Sequence, residues 1–106
     1  MEANQPFEIR TLLDDENCRR VAVLGEIDLL GAREAEERLF AERDGHRRVI
    51  LDLRDVTFMG AGGIGLLVRA HVRSAIEGRR LTVIDGGHVH TLLDMAGLLG
   101  VLDIIE

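Results

Sequence analysis

The densest chemical signal in the chain is a run of small residues, Gly60-Ala61-Gly62-Gly63-Ile64-Gly65, which satisfies the G-x-G-x-x-G pattern. Asp85 follows Gly65 by 20 residues, at the end of an apolar run. In a dinucleotide-binding fold such glycines let the backbone approach a pyrophosphate at a helix N-terminus, and the acid binds a ribose hydroxyl. That chemistry needs an apolar strand leading directly into the first glycine. Here the strong run around Val49-Ile50-Leu51 closes at Leu53, and the charged pair Arg54-Asp55 intervenes before Gly60. A structural role fits Gly63 and Gly65 better: a tight strand-to-helix turn and close helix packing.

The other candidate groups are scattered. Asp28, ahead of Leu29-Leu30, suits either the N-cap of a helix or a contact to a partner, and the residues leave both open. Asp52 lies inside a strand, where a buried carboxylate needs donors around it. His88 and His90 are two apart, poorly spaced for one helical face, and His46 and His71 stand elsewhere, so no metal site is expected. Ser74 is the one serine, in mid-helix with no base beside it, and lysine is absent. No nucleophile–base pair can be assembled, so the chain is not expected to be an enzyme or to carry a cofactor.

These residues must be held by alternating elements. Phe7–Leu13 and Cys18–Leu24 read as a hairpin closed by the turn Asp14-Asp15-Glu16-Asn17. A helix is expected from about Leu30 to Arg43, with Leu30, Ala35, Leu39 and Phe40 near helical spacing, an Arg/Glu face in solvent, and Asp44-Gly45 as its stop. Arg48–Leu53 is a buried-type strand, and a second helix runs from about Gly63 to Ile76 with Gly78 as its cap. Leu81–Ile84 is a strand, His88–Met95 a short helix ended by Gly97, and Val101–Ile105 a last strand. The order β-β-α-β-α-β-α-β predicts an α/β fold, a mixed sheet of four to five strands with right-handed crossovers.

Composition excludes several classes. A length of 106 residues, 46% hydrophobic and 30% charged, fits one domain, residues 1–106, with a single core. No apolar run is long enough to cross a membrane, and Met1–Arg10 lacks the apolar stretch of a signal peptide, so no membrane insertion is expected and the cytoplasm is the default. Cys18 is the only cysteine, which excludes an internal disulfide. A net charge of −6, with three Phe and neither Trp nor Tyr, argues against nucleic acid as a partner. Arg47-Arg48 and Arg79-Arg80 each precede a strand, as solvated strand ends or as a basic rim for an acidic partner.

Three segments carry a resemblance. Leu51-Asp52-Leu53-Arg54-Asp55-Val56-Thr57-Phe58-Met59-Gly60-Ala61-Gly62-Gly63-Ile64-Gly65 resembles the signature of the STAS family (sulfate transporter and anti-sigma-factor antagonist domains). Gly25-Glu26-Ile27-Asp28 is similar to the family's Gly-Glu-Leu/Ile-Asp, and Leu92-Leu93-Asp94-Met95-Ala96-Gly97-Leu98 to its Leu-Phe-Asp-Met-Ser-Gly-Leu. The match spans about Phe7 to Ile105 in the family's order. It implies a non-catalytic domain that docks on an anti-sigma factor, often of kinase fold, and so frees a sigma factor for transcription. It also implies that Asp28, Gly60, Ala61, Gly62 and Gly63 contact the partner.

At one point this chain departs from the pattern. The family's loop reads Asp-Ser-Ser-Gly, and the kinase phosphorylates its first serine. Here the loop is Gly60-Ala61-Gly62-Gly63, with Ala61 at the phosphoacceptor position. Alanine has no hydroxyl, so that switch is chemically impossible here. The nearest hydroxyl, Thr57, is expected on the buried approach to the loop. The family's last helix would also be missing, since the sequence stops at Glu106, and apolar surface left uncovered there would favour a homodimer. Two other functions fit the same residues: a STAS subunit of a membrane transport complex, and a nucleotide or small-ligand sensor using Gly60–Gly65.

Overall fold

The computed structural model describes residues 7–41 and 47–105. Strands β1 (Phe7–Asp14) and β2 (Cys18–Ile27) form the expected antiparallel hairpin. The Asp15 carboxylate closes its turn, accepting from the backbone N–H of Asn17 and of Cys18 at 2.9 Å each. Helix α1 (Leu29–Leu39), strand β3 (Arg48–Asp52), strand β4 (Val56–Met59) and helix α2 (Ala61–Glu77) follow. Strand β5 (Arg80–Ile84), helix α3 (Gly87–Met95) and strand β6 (Ile104–Ile105) complete the described chain.

The sheet has six strands in the order β1-β2-β3-β5-β6, with β4 paired to β2, and all pairings after the hairpin are parallel. The expected alternation holds, and the expected count of four to five strands is one short. The added strand is β4. The ten-residue β2 serves two partners in succession: Cys18–Ala22 pairs β3, and Gly25–Ile27 pairs β4. Gly25 sits at the changeover with φ 91°, a left-handed conformation that favours glycine, and donates its N–H to Asp55 O at 3.0 Å. Arg54 and Asp55 therefore form a short break within one extended run, and β4 leads straight into Gly60. The strand that the glycine motif was expected to lack is present.

All three helices pack against one face of this sheet. Val21, Val23, Val49, Leu51 and Val83 are fully buried with Ala35 and Leu39 of α1, Leu66 and Leu67 of α2, and Val89 and Leu93 of α3. The alternation of these strand residues is the period-two signature of a half-buried strand. Arg19 is 5% exposed on the same face, where its guanidinium donates to Arg38 O at 3.0 Å and pairs with Asp14 at 3.1 Å. A cation at the carbonyl end of α1 is the favourable sign for the helix dipole.

Several boundaries differ from expectation. Helix α1 closes at Leu39, with Phe40 as its C-cap; the expected stop at Asp44-Gly45 and the placement of His46 lie outside the described residues. Leu30 is 70% exposed, so the core stripe of α1 is Ala32, Ala35 and Leu39. Helix α2 starts at Ala61, two residues before the expected Gly63, because Gly60 already accepts the first helical bonds from Gly63 and Ile64. Its core face holds Leu66, Leu67 and Ala70, while Val68, Val72 and Ile76 face solvent. Gly78 caps it in the left-handed conformation, φ 72°, as expected. The last strand is two residues long, since Val101 lies in the turn before it.

Candidate functional site

The sheet and its crossovers bring three helix starts to one end of the molecule. Asp28 is the N-cap of α1: its Oδ1 accepts from Gly31 N at 2.8 Å, and its O from Ala32 N at 2.9 Å. The side chain is thus committed to the helix while remaining exposed at the surface. Gly60 is the N-cap of α2 with no side chain to offer, and it holds its place by donating its N–H to Ile27 O at 3.4 Å. Gly86 opens α3, also without a side-chain cap.

The glycines of the motif are filled by the chain itself. A Cβ on Gly62 would stand 3.0 Å from Leu29 Cα and 3.3 Å from the Asp28 carbonyl carbon. A Cβ on buried Gly63 would overlap the Met59 side chain, and one on Gly65 would meet the Arg69 guanidinium at 2.9 Å. The space that a pyrophosphate would need beside Gly62 and Gly63 belongs to α1 and to β4. Gly62 and Gly63 serve close packing, as the sequence reading favoured for Gly63, whereas Gly65 meets only the movable end of Arg69 on its own helix.

What remains at the surface is a small apolar rim. Ala61 is exposed at the first position of α2. Close by are the exposed Leu29 (59%), whose backbone faces Gly62, and Phe58 (53%), whose ring faces Gly60, and Leu30, next along α1, is exposed too. Phe58 lies 3.6 Å from the Cβ position of Gly60 and stacks on the exposed His88 ring of α3, centroids 6.3 Å apart. The sequence reading gave Leu29, Phe58 and His88 no place at this site and set Leu30 on the apolar stripe of α1. The doublet Leu29-Leu30 was a usable signal, because a helix start directly behind an N-cap cannot bury both. Phe58 carried none: a bulge between β2 and β4 skips Thr57 in the pairing and turns Phe58 outward. Thr57 itself is exposed, not buried on the approach to the loop as expected.

The other candidates fall elsewhere. Asp52 is 4% exposed and accepts from Arg54 (2.8 Å) and Arg20 (2.9 Å). Burial pushes its carboxyl up, but the hydrogen bonds from Arg54 and Arg20 outweigh that and hold it at about 2. It ties β2, β3 and the β3–β4 break together. Ser74 is 2% exposed within α2. Asp85, also 2% exposed, meets His90 Nδ1 at 2.8 Å beside a recess of about 320 Å³ lined by Gly86 and Gly87. Among the described residues no group of three or more His, Cys, Asp or Glu side chains is placed to hold a metal ion, and no helix is long and apolar enough to cross a membrane.

Comparison with known proteins decides the family. The family model described as Mlab, STAS domain, matches residues 11–105. The chain belongs to the STAS family. As a STAS domain it is a non-catalytic regulatory module with the fold of the anti-sigma-factor antagonists. An anti-sigma factor antagonist from Mycobacterium paratuberculosis superposes with a TM-score of 0.76 at 26% identity, covering 92% of this chain and 85% of that one. The antagonist SpoIIAA in its unphosphorylated form gives 0.74 at 11% identity, covering 93% and 88%. The STAS domain of a SulP transporter from Vibrio cholerae gives 0.67 at 21%, covering 87% and 74%. No curated protein matches this STAS domain significantly in sequence.

Proposed function

We propose that this STAS domain is a docking regulator of the antagonist kind, engaging a kinase-fold anti-sigma factor and so freeing a sigma factor for transcription. The observation that carries the reading is the loop itself. Ala61 is exposed at the start of α2, in the middle of a rim of exposed apolar side chains, with Asp28 at its border. Small, exposed apolar groups ringed by polar ones suit a protein interface. The antagonist structure at 26% identity supports the same choice of partner. With alanine at the acceptor position, the rim stays permanently in the form that a phosphate would otherwise disrupt.

Two measurements test this. Titration against kinase-type anti-sigma factors, with ADP and with ATP, is expected to show binding; absence of binding under both conditions refutes the antagonist reading. Incubation with such a kinase and ATP is expected to leave the intact mass unchanged. Ala61→Ser in the same assay places a hydroxyl at an exposed site and is expected to gain one phosphate.

A second reading is a STAS subunit of a transport complex, favoured by the likeness to a transporter's STAS domain. Co-purification with a permease and an ATPase, in place of an anti-sigma factor, would select it. Self-association is a further part of the proposal, through the exposed Val101 before the last strand and Ile105 within it. Sedimentation equilibrium showing a monomer at high concentration would remove it.

A further inference from the structure

The two arginine pairs that precede strands in the sequence are brought side by side by the sheet. In the parallel pairing of β3 with β5, Arg48 stands directly opposite Arg80. Both alternate with the buried Val49, Leu51, Leu81 and Val83, so they project from the sheet face opposite the one that the three helices cover. Arg20 of β2, in register with Ile50, lies on that same face one step further along.

Like charges directly opposite on neighbouring strands, about 4.8 Å apart, oppose folding. The surroundings offset this only in part. Arg20 is turned to Asp52 at 2.9 Å. Arg80 reaches Asp103 at 3.4 Å, but that carboxylate also accepts from Thr82 Oγ1 at 3.0 Å, and the Arg80 side chain is 71% exposed. Arg48 is exposed and makes no ion pair among the described residues. The pair thus presents two solvent-facing guanidinium groups, of which only Arg80 has an acid, Asp103, beside it.

We propose that the Arg48–Arg80 row is a second docking site, and that its occupant is an acidic polypeptide segment. Guanidinium forks bind carboxylates in a bidentate way, which suits side chains of Asp and Glu laid across the strands. A nucleic-acid phosphate backbone or an anionic membrane fits less well, because each needs a basic surface wider than two guanidinium groups. The chain's net charge of −6 repels a long-range field, whereas carboxylates held in contact are governed by the local pair. The site opens β3 and β5, while Ala61 stands beyond the far ends of the parallel strands, roughly 15 Å or more along the sheet. The two sites are therefore separate, and this inference does not depend on what docks at Ala61.

The test is a fluorescence titration of the full chain with a labelled oligoglutamate peptide. The same peptide is read at low and at high salt, with phosphatidylserine vesicles and duplex DNA as separate arms. Salt-sensitive binding of the peptide is expected, weakened about tenfold or more by Arg48→Gln with Arg80→Gln. Arg33→Gln, exposed on α1, is expected to change it by less than about twofold. No peptide binding, equal binding by the double variant, or tighter binding of vesicles or DNA than of peptide would each overturn the proposal. Should the double variant fail to fold, Arg48→Gln alone carries the same comparison, with a loss of about threefold or more expected and an unchanged affinity decisive against the site.

Discussion

Gly62 stands against the backbone of Leu29: a Cβ at position 62 would lie 3.0 Å from Leu29 Cα and 3.1 Å from its nitrogen. The start of α2 and the start of α1 are locked at a distance that only glycine allows without a shift. The neighbour is backbone, which cannot rotate aside as the Arg69 side chain beside Gly65 can. Gly62→Ser is therefore expected to lower stability by about 1 kcal/mol, the overpacking cost exceeding the better helix propensity. Thermal unfolding of the variant checks this, and an unchanged or raised midpoint would show that α1 gives way freely.

Gly60→Asp should behave in the opposite way. Its Cβ position is 3.6 Å from the Phe58 ring, an ordinary contact, and the N-cap of α2 has no side-chain acceptor. A carboxylate there can accept from the first turn and face the positive end of the helix. A gain of a few tenths of a kcal/mol is expected by urea unfolding. The family's acid thus fits this backbone as it stands, whereas its second serine, at Gly62, needs the start of α1 to give by a few tenths of an ångström.

Asp28→Ala removes the acceptor that Gly31 N uses at 2.8 Å. The expected loss is about 1 kcal/mol, with the typical spread of N-cap substitutions. Asp28→Asn keeps an acceptor and should restore most of it. If docking falls in Asp28→Asn while stability is kept, the residue also touches the partner.

Leu30→Glu and Phe58→Glu separate docking from folding. Both side chains are more than half exposed, at 70% and 53%, so stability should change by less than about 0.5 kcal/mol. Affinity for the anti-sigma partner should fall about tenfold or more, because a charge is desolvated at the centre of the contact. Unchanged affinity in both would move the interface away from this rim.

The Asp52 network gives a pH signature. Its carboxyl is held at about 2 in the folded chain, below the ordinary value of 3.8. The stabilisation is therefore complete above the unfolded value and is lost as pH falls from about 4 through about 2, by roughly 1–2 kcal/mol after allowance for solvent around Arg54. The stability difference between the native chain and Asp52→Asn, followed by urea unfolding, should shrink across that window. A constant difference would mean that the arginines do not hold the proton off.

The alternation of elements, the hairpin, the single core and the family were legible in the residues, because apolar period and turn chemistry are local properties. So was the hydroxyl-free loop, since Ala61 cannot become a phosphoacceptor in any fold. Strand β4 was hidden for a physical reason: Val56–Met59 is four residues long, follows a charged break, and earns its place only by pairing with the second half of β2. The role of Gly62, and the neighbour against which Gly63 packs, were hidden in the same way. Each is set by what stands beside it, Leu29 and Met59, which local sequence does not reveal. The sequence by itself determined which groups the protein lacks, lysine and a loop serine above all. Only the tertiary structure decided which side chains face outward together: Phe58 turned out by a bulge, Leu30 left in solvent by helix phase, and Arg48 set against Arg80 by strand register.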